Sequence, residues 1–358
     1  IALMPMGHQP GRYEYCSPHD QVNRSQSTND AYPTAIHIVF YASHLNMLPH
    51  LKELIASLKK KGDEFAHIIK MGRTQLEDAV PMTLGQTFHG FASILQNELL
   101  HLEEAATDFL TVNLGATAIG TGICSEPGYA EKAVEALARI TGWKVVLSED
   151  WVGATSDTSC MVGYMSALKR VAVKLSKISN DLRLLSSGPR CGLGEINLPA
   201  RQPGSSIMPG KVNPVIPEVV SQVAFKVMGN ELCTTMAGEA AQMELNAMEP
   251  VMAQCCFESI DLLIHAYDTL RTLCIDGITA NEAKCVEEVH NSIGVVTALN
   301  PYIGYDHATA IAKKALETGQ SVYKLVLEEG ILTKEDLDTV LNPKNMVRPV
   351  KLDIHAKG

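Results

Sequence analysis

Aromatic residues are scarce: together they make up 5% of the 358 residues, and only two are tryptophan. A core so poor in rings is built from Ala, Val, Leu, Ile and Met, a mix that favours helix against helix over a β-sandwich. Basic residues are also short, 30 against 40 acidic ones, for a net charge of −10, and they form no run. Such a chain carries no nucleic-acid footprint, although a local basic pocket can still take a small anion. No apolar run approaches a membrane span, and no stretch reads as a signal peptide. The nine cysteines contain no CxxC. Their odd number and apolar neighbours predict free thiols in a reducing, cytoplasmic compartment. The histidines form no HxxxH or HExxH pair, so neither a catalytic metal site nor a required cofactor is expected. The chain also lacks an initiator methionine, opening Ile-Ala-Leu-Met in a helix-like pattern. We expect a piece from which most of an N-terminal domain is missing.

What is present is helical periodicity. Leu84, Phe88, Phe91, Leu95, Leu99, Leu102, Ala106 and Phe109 form one stripe, and Met161, Met165, Leu168, Ala172, Leu175, Leu182 and Leu185 another. A third follows Val251, Cys255, Leu262, Ala266, Leu270 and Leu273. Ile36, Phe40, Leu51, Leu54 and Leu58 mark a fourth helix, with a kink expected at Pro49, and Val219, Val223 and Val227 a fifth. Helices of roughly 25 residues run close to 40 Å at ~1.5 Å per residue and need partners along their whole length. The reading is all-α, a bundle of five long helices completed by other subunits. Thr83-Leu84-Gly85-Gln86 fits a capping box. Asn213 fits an N-cap with Pro214 at the first helical position. The pattern breaks near Asp276 to Asn281, and turns are expected at Asn300-Pro301 and Asn342-Pro343. The expected domains are an N-terminal remnant (1–25), the long-helix bundle (26–276) and a small helical C-terminal domain (277–358).

Four polar clusters punctuate the helix ends. "GSSIMPGKVN", residues 204–213, is not a P-loop: five residues, not four, separate Gly204 from Gly210, and Val212 stands where Ser or Thr is required. It reads instead as an anion site, in which Lys211 and a helix N-terminus favour a carboxylate beside Ser205 and Ser206. "SQSTND", residues 25–30, offers Ser27, Thr28 and Asn29, either as ligands or as an ordinary cap. "GRTQLEDAVPMTLGQ", residues 72–86, offers Arg73, Thr74 and Gln75 as anion ligands or as partners for helix ends. "QMELNAMEP", residues 242–250, puts Glu244 and Asn246 at a helix junction, where either is equally at home in a structural role.

In these segments the chain resembles the fumarase/aspartase superfamily, essentially over its whole length, and "GSSIMPGKVN" is that family's signature loop. The resemblance implies five long helices per subunit forming a twenty-helix core in a homotetramer, with active sites shared between three subunits. Gln75, where fumarases have histidine, and Glu249, where they usually have a basic residue, lean toward the aspartases; Glu244 matches the fumarase-type glutamate that partners that histidine. "SPHD", residues 17–20, departs from the fumarases' "HPND", and the family's upstream Gly-Thr-Ser stretch is absent. Carried over, Ser205 is the general base, Ser206, Lys211 and Asn213 hold one substrate carboxylate, and Met208 also contacts the substrate. Ser27, Thr28 and Asn29 bind the other end of the substrate, while Thr74 and Gln75 close the site and Glu244 supports it. The implied reaction interconverts L-aspartate with fumarate and ammonia, without a required cofactor, Mg²⁺ entering only as an activator. Fumarate hydration and a non-catalytic scaffold role are the alternatives.

Overall fold

The computed structural model describes residues 2–354; Ile1 and residues 355–358, which end the expected first and last domains, lie outside the described residues. Helix α1 (Thr28–Glu64) leads into a hairpin, β1 (Ile69–Thr74) and β2 (Glu77–Thr83), and then α2 (Leu84–Thr107). Strand β3 (Thr111–Val112) is followed by α3 (Tyr129–Thr141), β4 (Val146–Leu147), α4 (Trp151–Ser156) and α5 (Ser159–Leu185). Next come β5 (Ile196–Asn197), α6 (Val215–Glu239) and α7 (Glu249–Leu273). Beyond β6 (Thr279–Ala280) lie α8 (Glu282–Asn291), α9 (Asn300–Ile303), α10 (Tyr305–Thr318), α11 (Val322–Glu328), α12 (Lys334–Val340) and α13 (Pro343–Met346). The fold is all-α, and the five long helices α1, α2, α5, α6 and α7 fall on the five apolar stripes.

One compact unit comprises Ile1–Lys52, Leu95–Lys177 and Val219–Asp268. Its few rings meet tilted or edge-on, Phe40 lying 5.2 Å from Phe109 and 4.5 Å from Phe257, and Phe109 5.1 Å from Tyr164. His44 Nδ1 pairs with the Tyr164 hydroxyl at 3.1 Å. Burial pushes that imidazole down to about 4, so it is neutral in the core. Glu98 is buried, and desolvation works to raise its pKa. Bonds from Arg170 Nε at 2.8 Å and from Lys174 prevail and hold the carboxyl below its ordinary value.

The second unit comprises Glu53–Ile94, Ile178–Glu218 and Thr269–Gly358. Leu54, Leu58, Phe65, Phe88, Leu182 and Ile275 are buried in it. The short helices gather a separate cluster around Met71, Leu299, Ile311, Leu325 and Leu337. No strand was expected in the linker after α1, yet β1 and β2 pair there from Ile69↔Thr83 to Thr74↔Glu77. The apolar-polar alternation is too short to read in the sequence, and a bulge between Met71 and Arg73 breaks its period. Asn300-Pro301 and Asn342-Pro343 start helices rather than make turns; Asn342 Oδ1 accepts the Lys344 N–H at 3.1 Å.

The α2 and α5 stripes are buried residue for residue. On α6 Val227 is buried as expected, but the other two positions slip by one: Val220 and Ala224 are buried, whereas Val219 is 42% exposed. On α7, Val251 and Leu273 are likewise exposed, and Met252, Cys256, Ile260 and Leu263 are buried instead. The reason is that both helices carry apolar residues nearly all round, so periodicity cannot choose a face. Helix α1 runs on through Pro33 and Pro49. Pro33 has no N–H for the Asn29 carbonyl, and Asn113 Nδ2 supplies the missing donor at 3.2 Å. At the head of α2, Thr83 Oγ1 accepts the Gln86 N–H at 3.0 Å while Gln86 Oε1 accepts the Thr83 N–H at 2.9 Å, the reciprocal cap expected. Thr83→Ala removes one half of it. We expect a loss of about 1 kcal/mol, read as a lower denaturant midpoint at unchanged m-value.

Candidate active site

The signature loop is drawn closed by its own backbone. Ser205 N–H donates to the Lys211 carbonyl at 3.2 Å, and Lys211 N–H to the Met208 carbonyl at 3.1 Å. A Cβ on Gly204 would lie 2.7 Å from that same Lys211 oxygen, so only glycine fits there. Gly210, at φ +82°, supplies the left-handed step that turns the chain back. Ser205 Oγ accepts the Ile207 N–H at 3.4 Å, and no described residue takes its hydroxyl proton. Ser206, Met208 and Lys211 are exposed, and Lys211 has no carboxylate partner among the described residues. Helix α6 starts one residue later than expected: the first bond runs from Glu218 N–H to the Pro214 carbonyl at 3.2 Å. Pro217 has no N–H to give to Asn213, so Asn213 cannot be the cap. Its carbonyl takes the Val215 N–H at 2.9 Å, and its amide stays free of capping duty at the electropositive helix end.

In the same unit, Thr74 and Gln75 sit at the tip of the β1–β2 hairpin. Gln75 (φ +56°) and Leu76 (φ +67°) make a two-residue turn with both residues left-handed, a turn that ordinarily demands Asn-Gly. Non-glycine residues held so cost of order 1–3 kcal/mol each and need support from around them. That support is an ion cluster at the foot of the turn. Buried Glu195 lies 3.0 Å from Lys70 Nζ and accepts from Arg73, whose other arm donates to Glu288 at 2.8 Å. Arg73 is therefore an anchor for the turn, its charge already matched, and not an anion ligand.

Ser27, Thr28 and Asn29 belong to the first unit, and Ser27 does serve as a cap. Its Oγ accepts the Asn29 N–H at 3.2 Å, and Asp30 Oδ1 accepts the Ser27 N–H at 2.8 Å. Asp30 Oδ2 also accepts from Gly115 and Thr117 N–H at 3.0 and 2.9 Å, and Asn29 Nδ2 donates to the Ala118 carbonyl at 2.8 Å. The Ser27 hydroxyl proton, the exposed Thr28 hydroxyl and the Asn29 oxygen remain free to meet a ligand. Thr28 and Asn29 lie inside the first turn of α1 rather than before it. Asn246 is structural: its Nδ2 donates to Thr158 Oγ1 at 2.9 Å and its Oδ1 accepts the Met248 N–H at 2.9 Å. Glu244 is exposed in the first unit, with no hydrogen-bond partner among the described residues, whereas Gln75 belongs to the second.

The chain matches two sequence families, one described as Lyase over residues 2–229 and one described as Fumarase C C-terminus over residues 295–348. Curated relatives include an aspartate ammonia-lyase of Pseudomonas fluorescens, 59% identical over 99% of this chain and 75% of that protein. The aspartate ammonia-lyase of Escherichia coli (strain K12) is 53% identical over 98% of this chain and 73% of its own length. The chain belongs to the aspartate ammonia-lyase family of the fumarase/aspartase superfamily. Among solved structures, a fumarate lyase:delta crystallin from Brucella melitensis bound to cobalt superposes with TM-score 0.93 at 50% identity, covering 97% of this chain and 75% of that one. A recombinant class II fumarase from Schistosoma mansoni gives 0.89 at 33% identity, over 93% and 73%.

In the sequence Glu249 only marks the aspartase side of the superfamily; the fold buries it to 7% exposure at the first position of α7, with no partner among the described residues. Desolvation alone pushes its carboxyl up to about 7. A lone acid after "NAM" in an apolar setting was the available signal. Because the folded-state value is raised, the native protein holds this proton where the unfolded chain has lost it. Stability from this group thus falls as pH rises from the ordinary carboxylate value to about 7, and levels off above. We expect Glu249→Gln to flatten that part of a stability-versus-pH curve. Arg73→Ala leaves buried Glu195 with Lys70 alone and should cost about 1–3 kcal/mol in a denaturant titration at neutral pH, with Arg73→Lys milder.

Proposed function

We propose that Ser205 is the general base of a carbon–nitrogen lyase that converts L-aspartate reversibly to fumarate and ammonia. The observation that carries this is a serine hydroxyl whose proton meets no acceptor among the described residues, on a backbone-pinned glycine loop that also presents a lysine unpaired among them and a helix N-terminus. As an alkoxide, Ser205 takes a proton from the carbon beside one substrate carboxylate, and the electron pair moves into that carboxylate to give a doubly negative aci form. The carbon–nitrogen bond then breaks on the opposite face, ammonia leaves, and the double bond of fumarate forms. The excess charge is the main barrier. Lys211, Asn213, Ser206 and the free N–H groups at the start of α6 are the donors suited to it, each worth up to ~3–4 kcal/mol in a site closed to water. The same positive end lowers the cost of the Ser205 alkoxide. Met208 lines the substrate, Ser27, Thr28 and Asn29 hold its other end, and Thr74 with Gln75 closes over it. Glu244 is at most a supporting residue.

We further propose that the site is assembled from three subunits of a homotetramer. On α6, Phe225, Leu232 and Met236 are each about 60% exposed and share one face, an apolar strip suited to burial against another copy. No cofactor is needed for this chemistry, and Mg²⁺ enters only as an activator. Nine free thiols suit a reducing, cytoplasmic setting, and no helix among the described residues is long and apolar enough to cross a membrane.

Fumarate formation is followed by ultraviolet absorbance from L-aspartate and, separately, from L-malate. Turnover from L-aspartate and none from L-malate is expected; the reverse establishes a hydratase. Ser205→Ala keeps the helical circular dichroism and loses about 10²–10⁴-fold in kcat. Turnover close to that of the unsubstituted chain would remove Ser205 from its role.

A further inference from the structure

The first unit holds a cavity of about 410 Å³ that the proposed chemistry does not use. Its wall draws on α1, α4, α5 and α7, and its ionisable members are His37, Asp108, Asp150, Asp157, Cys160 and Glu249. Lysine and arginine are absent from this lining. Asp108, Asp150 and Asp157 stand at the exposed rim, and Glu249 lies at the buried side.

Glu249 has no hydrogen bond or ion pair among the described residues, and an unmatched buried carboxylate is costly unless it keeps a proton or meets a cation. The only basic side chain in the wall is already committed. His37 Nδ1 lies 3.0 Å from the Thr111 carbonyl, which can only accept, so Nδ1 carries the hydrogen. Nε2 is then the acceptor, and the Cys160 thiol donates to it at 3.3 Å. Burial pushes His37 down and Cys160 up to about 12, so both partners are neutral at physiological pH. Once Glu249 gives up its proton, the neutralising charge has to come from outside this wall.

We propose that this cavity binds a small cation of the form R–NH₃⁺, with Glu249 as its buried counter-charge. Two features favour nitrogen over a metal. Among the described residues, no group of three His, Cys, Asp or Glu side chains is placed to hold a metal ion. The wall instead offers scattered single oxygens, from Glu249, Ser148, Ser159 and the aspartates, suited to N–H donors pointing several ways. The space exceeds a bare ammonium ion and admits a short alkyl chain. The rim aspartates raise the local concentration of any such cation. The inference does not depend on the reaction assigned above.

Isothermal titration calorimetry on the chain, at constant ionic strength, separates the sources. Ammonium chloride represents the reaction's own product and 1,4-diaminobutane an alkylamine; sodium and tetramethylammonium chloride lack N–H donors. We expect saturable binding of ammonium, the diamine or both at one site per chain, with both references at least ~10-fold weaker. Binding at pH 7 should release protons, seen as a dependence of the heat on buffer ionisation enthalpy, because Glu249 still holds part of its proton there. Glu249→Gln should weaken binding at least ~10-fold without lowering the unfolding midpoint. Ala154→Lys, which tethers an ammonium group to the wall, should abolish uptake of added amine. Equal binding of sodium or tetramethylammonium, tighter binding of Mg²⁺ than of either amine, or an unchanged affinity in Glu249→Gln would each overturn the proposal.

Discussion

Everything in this protein follows from apolar stripes that run the full length of five helices. A stripe of 24 to 37 residues is covered only by other long rods lying alongside it. The rods' lateral surfaces are thereby committed to packing. Polar chemistry is pushed to their ends, where unpaired N–H groups and the positive pole of each helix wait for partners. All four polar segments of the sequence sit at such ends.

The buried carboxylates illustrate how strictly burial constrains charge. Asp30 is satisfied by three backbone N–H groups, two of them from a loop it ties to the head of α1. Glu98 is matched by Arg170 and Lys174, and Glu195 by Lys70 and Arg73. In each case the acid organises a turn or joins two helices, and its cost is offset by several donors. Glu249 alone among these four lacks such donors. The same rule that explains the first three marks the fourth as a place where something is meant to arrive.

The hairpin tip and the signature loop show two ways of making a loop exact enough for chemistry. At the tip, left-handed Gln75 and Leu76 are held by an ion cluster whose charged arms reach the strand just before them. In the loop, two backbone hydrogen bonds and two glycines do the work without side chains. In the latter, the side chains of Ser206 and Lys211 make no structural bond among the described residues, and Ser205 gives only its oxygen, to the Ile207 N–H. Ser27 is similar, since its oxygen caps α1 and its proton alone is free.

The sequence by itself determined the five long helices, the cap at Thr83 and Gln86, the free thiols and the signature segment that carries Ser205. These depend on neighbours three or four residues away or on one short motif. Only the tertiary structure decided which faces of α6 and α7 are buried, because helices apolar all round leave that choice to their packing partners. It also turned Arg73 from ligand to anchor, since Glu195 lies 122 residues further along the chain. Finally, it set Glu249 apart: the charge state of an acid is governed by the atoms that exclude water from it, and those come from segments remote in sequence.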